Sequence, residues 1–102
     1  LMPYTFTRVD HSREHIRLAL AAAYGSYVEQ EGKKGDTWRD QDLWQLFNHL
    51  EHELTEVRGN LGRSEFGFLL HNAMDVMELA AMIYSHGAMT LETELARQFD
   101  IP

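Results

Sequence analysis

The sequence lacks cysteine and has almost no proline. None of its 102 residues is cysteine, and Pro3 and Pro102 lie at the two ends. Disulfides, thiolate metal sites and cysteine nucleophiles are therefore excluded, and we expect a cytoplasmic location because reducing compartments leave disulfides unused. The chain interior also lacks the residue that most strongly breaks helices.

Basic residues and strand signals are scarce as well. Nine Lys and Arg face sixteen Asp and Glu, so the net charge is −7, which weighs against nucleic acid or an anionic membrane surface as a partner. We find no alternating run of β-branched residues and no Asn-Gly or Asp-Gly hairpin. The most apolar stretch, residues 66–84, is interrupted by polar side chains, so we expect a buried helix and no membrane span.

The apolar residues that are present, 44% of the chain, predict one all-α domain over residues 1–102. We expect four helices. The first covers residues 13–31, with Asp10 or Ser12 as its cap and Gly32 as its end. The second runs from about Trp38 to Asn60 after a cap at Asp36 or Thr37. Ser64 caps a third helix that stops at Gly87, and Thr90 starts a short fourth.

The third predicted helix is apolar on nearly every side, and such a helix must be covered all round. It should pair antiparallel with the second helix across a tight turn. Four short helices barely suffice to cover it, so we expect a second chain to contribute. The predicted assembly is a homodimer or homotetramer.

Carboxylates cluster on the two paired helices. Glu53 and Glu56 lie one turn apart at the edge of the apolar face of the second helix, and Asp75 and Glu78 share a face of the third. Antiparallel pairing would bring Glu53, Glu56, Asp75 and one neighbour together. Buried carboxylates repel each other unless they are protonated or bridged by a cation, and oxygen ligands suit Mg²⁺ or Mn²⁺.

Two plainer interpretations stand beside this one. A glutamate at the flank of an amphipathic helix is usually solvated, which applies to Glu53 and Glu56 taken alone. Asp75 differs because it lies between Met74 and Val76, where an ionised group is expected to be paired or to bind something. A zinc site built from His49, His52 and His71 is the second alternative, but no HExxH motif is present.

Two stretches together resemble the MazG-like family of all-α nucleoside triphosphate pyrophosphohydrolases. They are GDTWRDQDLWQLFNHLEHELTEV, residues 35–57, and HNAMDVMELAAMIYSHG, residues 71–87. That family carries EExxE on one helix and ExxD on the next. Here HELTE, residues 52–56, occupies the first motif and NAMD, residues 72–75, the second. The resemblance covers about residues 32–100.

The resemblance implies a four-helix bundle completed by oligomerisation and Mg²⁺-dependent cleavage between the α- and β-phosphates of a nucleoside triphosphate. Its implied catalytic residues are Glu53, Glu56 and Asp75. Its implied metal ligands, for Mg²⁺ or Mn²⁺, are Glu53, Glu56, Asn72, Asp75 and Glu78. Substrate contacts are expected from Trp38, Arg39, Lys34 and Asn72.

The chain departs from the family pattern at two positions. His52 replaces the first glutamate of EExxE, and Asn72 replaces the glutamate of ExxD, while Glu78 keeps the number of carboxylates at four. Two alternative functions follow. One is a catalytically impaired relative that binds a nucleotide or a protein partner. The other is a helical interaction module whose carboxylates are surface charge.

Overall fold

A computed structural model describes residues 7–99 of the chain. Three α-helices and one short 3₁₀ turn make up this part: α1 Arg8–Lys34, the 3₁₀ turn Thr37–Asp40, α2 Leu43–Gly62 and α3 Phe66–Phe99. No strand occurs between residues 7 and 99. The all-α prediction is confirmed, whereas the predicted number and limits of the helices need correction.

α1 begins earlier and ends later than the sequence pattern predicts. Thr7 and Asp10 form a capping box, in which the Asp10 N–H donates to Thr7 Oγ1 and the Thr7 N–H donates to Asp10 Oδ2. Thr7 is therefore the N-cap, and Asp10 is the third residue of the helix, whose side chain completes the capping box. Gly32 does not end the helix; Gly35 does, with a φ of 66° that favours glycine.

α2 begins five residues after the predicted start at Trp38. Asp36 and Thr37 introduce the 3₁₀ turn, and Asp42 caps α2 in a second capping box with Gln45. The extra turn changes the position of Trp38, which leaves the helix and packs edge-on against Tyr27 of α1. On α2 itself, the predicted apolar stripe contains the most buried large side chain of residues 7–99, Leu46.

The connection between α2 and α3 is a Schellman turn. The N–H of Glu65 donates to the Asn60 carbonyl, and the N–H of Ser64 donates to the Leu61 carbonyl. Ser64 takes the left-handed conformation with a φ of 54°. It therefore closes α2, and the prediction that it caps the next helix is wrong.

α3 is one continuous helix of 34 residues. Gly87 neither stops it nor separates a fourth helix starting at Thr90, so both predictions are wrong. A glycine inside a helix costs only about 1 kcal/mol relative to alanine, and no proline or capping turn reinforces the break here. The Thr90 hydroxyl donates to the His86 carbonyl across this point and fits the continuing helix.

α2 and α3 form the main packed pair, and α1 lies against α3. Only four of residues 7–99 are buried: Ala23, Leu46, Asn60 and Leu79. The radius of gyration of the chain is 18.4 Å, against about 13 Å for a compact domain of this length. A single copy therefore leaves much of its apolar surface uncovered.

By length and composition alone, α3 is long and apolar enough to cross a membrane. One such helix is weak evidence, because core helices of soluble proteins pass the same test. Asp75 and Glu78 lie within α3 and face the cavity described next.

Candidate functional site

A cavity of about 450 Å³ lies where α1, the 3₁₀ turn, α2 and α3 meet. Four carboxylates line it: Glu31 on α1, Glu53 on α2, and Asp75 and Glu78 on α3. The volume is in the range of small-molecule sites. We call this space the carboxylate cavity.

Glu53 is the most enclosed acid of α2, with 13% of its side chain exposed. Its Oε2 atom is buried and has no hydrogen-bond partner. Burial raises the pKa of Glu53, and the negative charges of Glu56 and Asp75 raise it further. His49, whose Nε2 lies 3.6 Å from Glu53 Oε1, offsets part of this rise. Glu53 therefore carries a charge that its surroundings do not fully stabilise.

Glu78 is in a similar position on the opposite wall. Its Oε1 atom is the other buried side-chain oxygen of residues 7–99 without a hydrogen-bond partner. Burial raises the pKa of Glu78 and the Asp75 charge adds to the rise, while a hydrogen bond from Ser26 of α1 opposes it. The Asp75 side chain is one-third exposed, and its Oδ2 atom lies 3.9 Å from Nε2 of His71.

Glu56 does not reach the carboxylate cavity. Its side chain is 45% exposed and pairs with His52 at 3.2 Å on the outer side of α2. Glu56 still contributes to the field at Glu53. The structure therefore brings together Glu53, Asp75 and Glu78 from the predicted set, and leaves Glu56 at the surface.

Asn72 is engaged elsewhere. Its Nδ2 donates to Oδ1 of the buried Asn60 at 2.6 Å, close to the turn between α2 and α3. The sequence-based alignment placed residues 72–75 opposite Glu56. In the structure Asn72 lies opposite Asn60, because the turn closes with Ser64 as a non-helical residue and α3 starts only at Phe66.

Two of the predicted substrate contacts, Trp38 and Lys34, line the carboxylate cavity. Trp38 is oriented by its Nε1 group, which donates to the Tyr27 hydroxyl at 3.2 Å. Arg39 points away from this cavity: its guanidinium stacks on Trp38 with 4.4 Å between Cζ and the ring centre, and donates to Ser85 Oγ at 2.8 Å. Arg39 therefore helps to hold the Trp38 ring in place and does not itself contact the cavity.

The donors of the carboxylate cavity suit a hard divalent cation in their chemistry. Glu53 and Glu78 both line this space and each has one buried oxygen without a hydrogen-bond partner, and a cation would relieve the repulsion among these carboxylates and Asp75. Between residues 7 and 99, no three acidic or histidine side chains are already gathered as a metal site. The carboxylates would have to turn toward a shared ion.

Sequence reasoning missed the contribution of α1. Ser26, Tyr27 and Gln30 form one wall of the cavity, and their polar atoms face the acids of α3. A signal was present, since these residues share the face of α1 that carries Ala23. The role of His49 was also missed, although its spacing of four from Glu53 places the two side chains together.

Comparison with models of protein families, with curated proteins and with solved structures gave no match for this chain. The resemblance to MazG-like enzymes therefore rests on the residues of its two motifs.

Proposed function

We propose that this chain is a MazG-like nucleoside triphosphate pyrophosphohydrolase that works with Mg²⁺, or Mn²⁺, in the carboxylate cavity. One observation carries the proposal: Glu53 on α2 and Glu78 on α3 line the same cavity, and each has a buried carboxylate oxygen without a hydrogen-bond partner. Unpaired buried acids destabilise a fold, so their placement calls for a ligand of opposite charge.

Glu53, Asp75 and Glu78 would hold the cation by their oxygens. The bound ion supplies positive charge that attracts a triphosphate and offsets the charge developing during phosphoryl transfer. An acidic protein with net charge −7 binds a polyanion in this way because the ion reverses the local field. Lys34 at the rim adds a cationic side chain of the chain itself.

Hydrolysis forms a bond between a water oxygen and the α-phosphorus. It breaks the bond from that phosphorus to the oxygen bridging to the β-phosphorus, and it releases pyrophosphate and a nucleoside monophosphate. A group in the cavity must take the proton of the attacking water. Its position in the sequence made Glu56 a candidate for this general base, but Glu56 lies outside the cavity and pairs with His52.

We propose that His49 accepts this proton. Its ring lines the cavity and its Nε2 lies 3.6 Å from Glu53. The carboxylate stabilises the imidazolium that forms when the ring takes a proton. Trp38 would contact the base of the nucleotide, since its ring is fixed by Tyr27 and Arg39 at the same rim.

Release of pyrophosphate tests the proposal. The chain is incubated with a panel of ribo- and deoxyribonucleoside triphosphates and Mg²⁺ or Mn²⁺, and pyrophosphatase then converts the product to phosphate for a malachite-green reading. We expect turnover that Asp75→Asn abolishes. Glu51→Gln, on the exposed side of α2, should retain full activity. Absence of turnover with every nucleotide and both ions would refute the enzyme.

A catalytically impaired relative that binds nucleotide is the second candidate. It is favoured by the engagement of two expected ligands elsewhere, Glu56 with His52 and Asn72 with Asn60. This relative would show nucleotide-dependent shifts in melting temperature without turnover. A helical module that binds a protein partner would show neither response.

We also propose that the chain acts in the cytoplasm as a homodimer or homotetramer, which would complete a larger helical bundle. The absence of cysteine suits the location. The many exposed large apolar side chains, eighteen in residues 7–99, support the assembly.

A further inference from the structure

An apolar seam runs along almost the whole of α3. Starting from Leu70 and moving along α3 by four residues, then three, then four again, one meets only apolar residues as far as Leu95. These positions are Leu70, Met74, Met77, Ala81, Tyr84, Ala88, Leu91 and Leu95. This seven-residue repeat extends over more than three heptads, which is the pattern of a left-handed coiled coil. We call these eight positions the α3 seam.

Much of the α3 seam is uncovered in one copy of the chain. Leu70, Tyr84 and Leu91 are 73%, 81% and 59% exposed. α3 is 34 residues long and α2 only 20, so the C-terminal part of α3 extends past the start of α2, and residues 89–99 are all exposed. Exposed apolar stripes of this length are typical of interaction surfaces.

The exposed surface of the whole chain, of which the α3 seam is one part, leaves enough area for a permanent protein interface. The chain exposes 8356 Å², whereas a folded monomer of its mass exposes about 5,900 Å². The excess is of the size that one subunit buries in a large obligate interface, which covers roughly 2,000–5,000 Å² over both partners. A short peptide would cover too little of it.

The order of residues along the α3 seam makes it complementary to itself in the antiparallel direction. The steps read the same from both ends, so Leu70 meets Leu95 of a second copy and Met74 meets Leu91. In the middle, Tyr84 meets Ala81 and Met77 meets Ala88, a large side chain against a small one each time. A parallel pair would instead stack Tyr84 on Tyr84 between two layers of facing alanines.

We propose that a second copy of this chain occupies the α3 seam, with the two α3 helices packed antiparallel about a two-fold axis between Ala81 and Tyr84. Leu20 and Tyr24 of α1 border the centre of the seam with Ala81 and extend the contact. Glu78 borders the same groove as Leu20, Tyr24 and Ala81, so the proposed interface lies beside the carboxylate cavity.

Matched alanine variants test the surface. Ala81→Glu places a charge at the centre of the seam, and Ala96→Glu places the same charge one position outside it on the same helix. Light scattering coupled to size exclusion should give twice the chain mass of 11.8 kDa for wild type and Ala96→Glu. Ala81→Glu should give the single mass with unchanged helicity by circular dichroism. A wild-type monomer, or an Ala81→Glu dimer, would overturn the proposal.

Disulfide mapping tests the orientation and works even if Ala81→Glu fails to fold. The chain has no cysteine, so introduced thiols are the only ones. Leu70→Cys mixed with Leu95→Cys should give an oxidised heterodimer, and neither variant alone should cross-link. Cross-linking of Leu95→Cys with itself would indicate a parallel pair and contradict the proposed geometry.

Flotation with phosphatidylcholine vesicles distinguishes the second copy from a lipid surface. The dimer hides the seam, so wild type should stay in the aqueous fraction. A chain that is monomeric in solution and floats with the vesicles would assign the seam to a bilayer and refute the proposal.

Discussion

α2 carries two His–Glu pairs of identical spacing that face different surroundings. His49 and Glu53 line the carboxylate cavity, and Glu53 is 13% exposed. His52 and Glu56 lie three residues further on, at the surface, and Glu56 is 45% exposed. The inner glutamate has a buried oxygen without a hydrogen-bond partner, and burial raises its pKa. The same two residue types at the same spacing therefore have different chemistry, and burial decides which.

The largest expected difference between the pairs is catalytic. Glu53→Gln should lower the rate of pyrophosphate release about 100-fold or more, because it removes a charge that faces the proposed ion and the reacting phosphates. Glu56→Gln, the matched change in the outer pair, should leave the rate within about threefold, since only a distant charge is lost. Equal losses in the two variants would show that the cavity is not the active site.

Cation binding should separate the pairs without any need for turnover. An ion present at 100 times its dissociation constant adds about 2.7 kcal/mol of stability, which raises the melting temperature of a domain this small by about 10 °C or more. We expect Mg²⁺ or Mn²⁺ to have this effect on wild type and Glu56→Gln. Calorimetry of Glu53→Gln should show a much smaller shift. A shift that survives in Glu53→Gln would place the ion elsewhere.

The pH dependence of stability in the absence of divalent ions is the third contrast. The folded pKa of Glu53 is raised by burial and by its acidic neighbours, so the folded state holds the proton more tightly than the unfolded state. The unfolding free energy should therefore fall as pH rises from the ordinary glutamate pKa through the raised one. Glu53→Gln should flatten this fall, as measured by urea titration at several pH values.

Glu78 should also make the unfolding free energy fall as pH rises, because burial raises the pKa of Glu78 as well. Glu78→Gln should therefore flatten the pH dependence in part, and Glu56→Gln, which removes one charge beside Glu53, should flatten it less than Glu53→Gln does. Stability that increases with pH over the same range would contradict the unpaired burial of these acids.

The smallest effects are expected from the histidines. His52→Gln removes one exposed i, i+4 pair and should cost at most about 0.5 kcal/mol in urea unfolding, with no change in rate. His49→Gln should cost a similar amount of stability but should also slow hydrolysis, since it removes the proposed proton acceptor. Equal rates in the two variants would exclude that role for His49.

The sequence pattern predicts the class of fold and half of the site. A period of 3.6 residues and the absence of strand signals correctly indicate an all-helical chain. The stripe on α2 places Glu53 at the edge of the buried face, where the structure has it. Asp75 and Glu78 follow from the antiparallel pairing of α2 with α3.

The errors have local physical causes. Glycine was taken as a helix end at Gly32 and Gly87, but only Gly35 takes a conformation that requires it. The side on which Glu56 lies depends on the register between α2 and α3. The left-handed conformation of Ser64, in the three-residue turn between the helices, helps to set that register, and composition does not reveal it. The local pattern places Ser26, Tyr27 and Gln30 on one face of α1, but the neighbour against which that face packs depends on tertiary structure.

The bond between Asn60 and Asn72 has a consequence for motions of the hairpin. It joins α2 to α3 near the turn, and Asn60 is buried. Any sliding of α3 along α2 that widened the mouth around Glu53 would first have to break this bond and leave an amide without a partner. Two neutral side chains, one about two turns from Glu53 and the other about one turn from Asp75, therefore oppose sliding of the two helices that carry these acids.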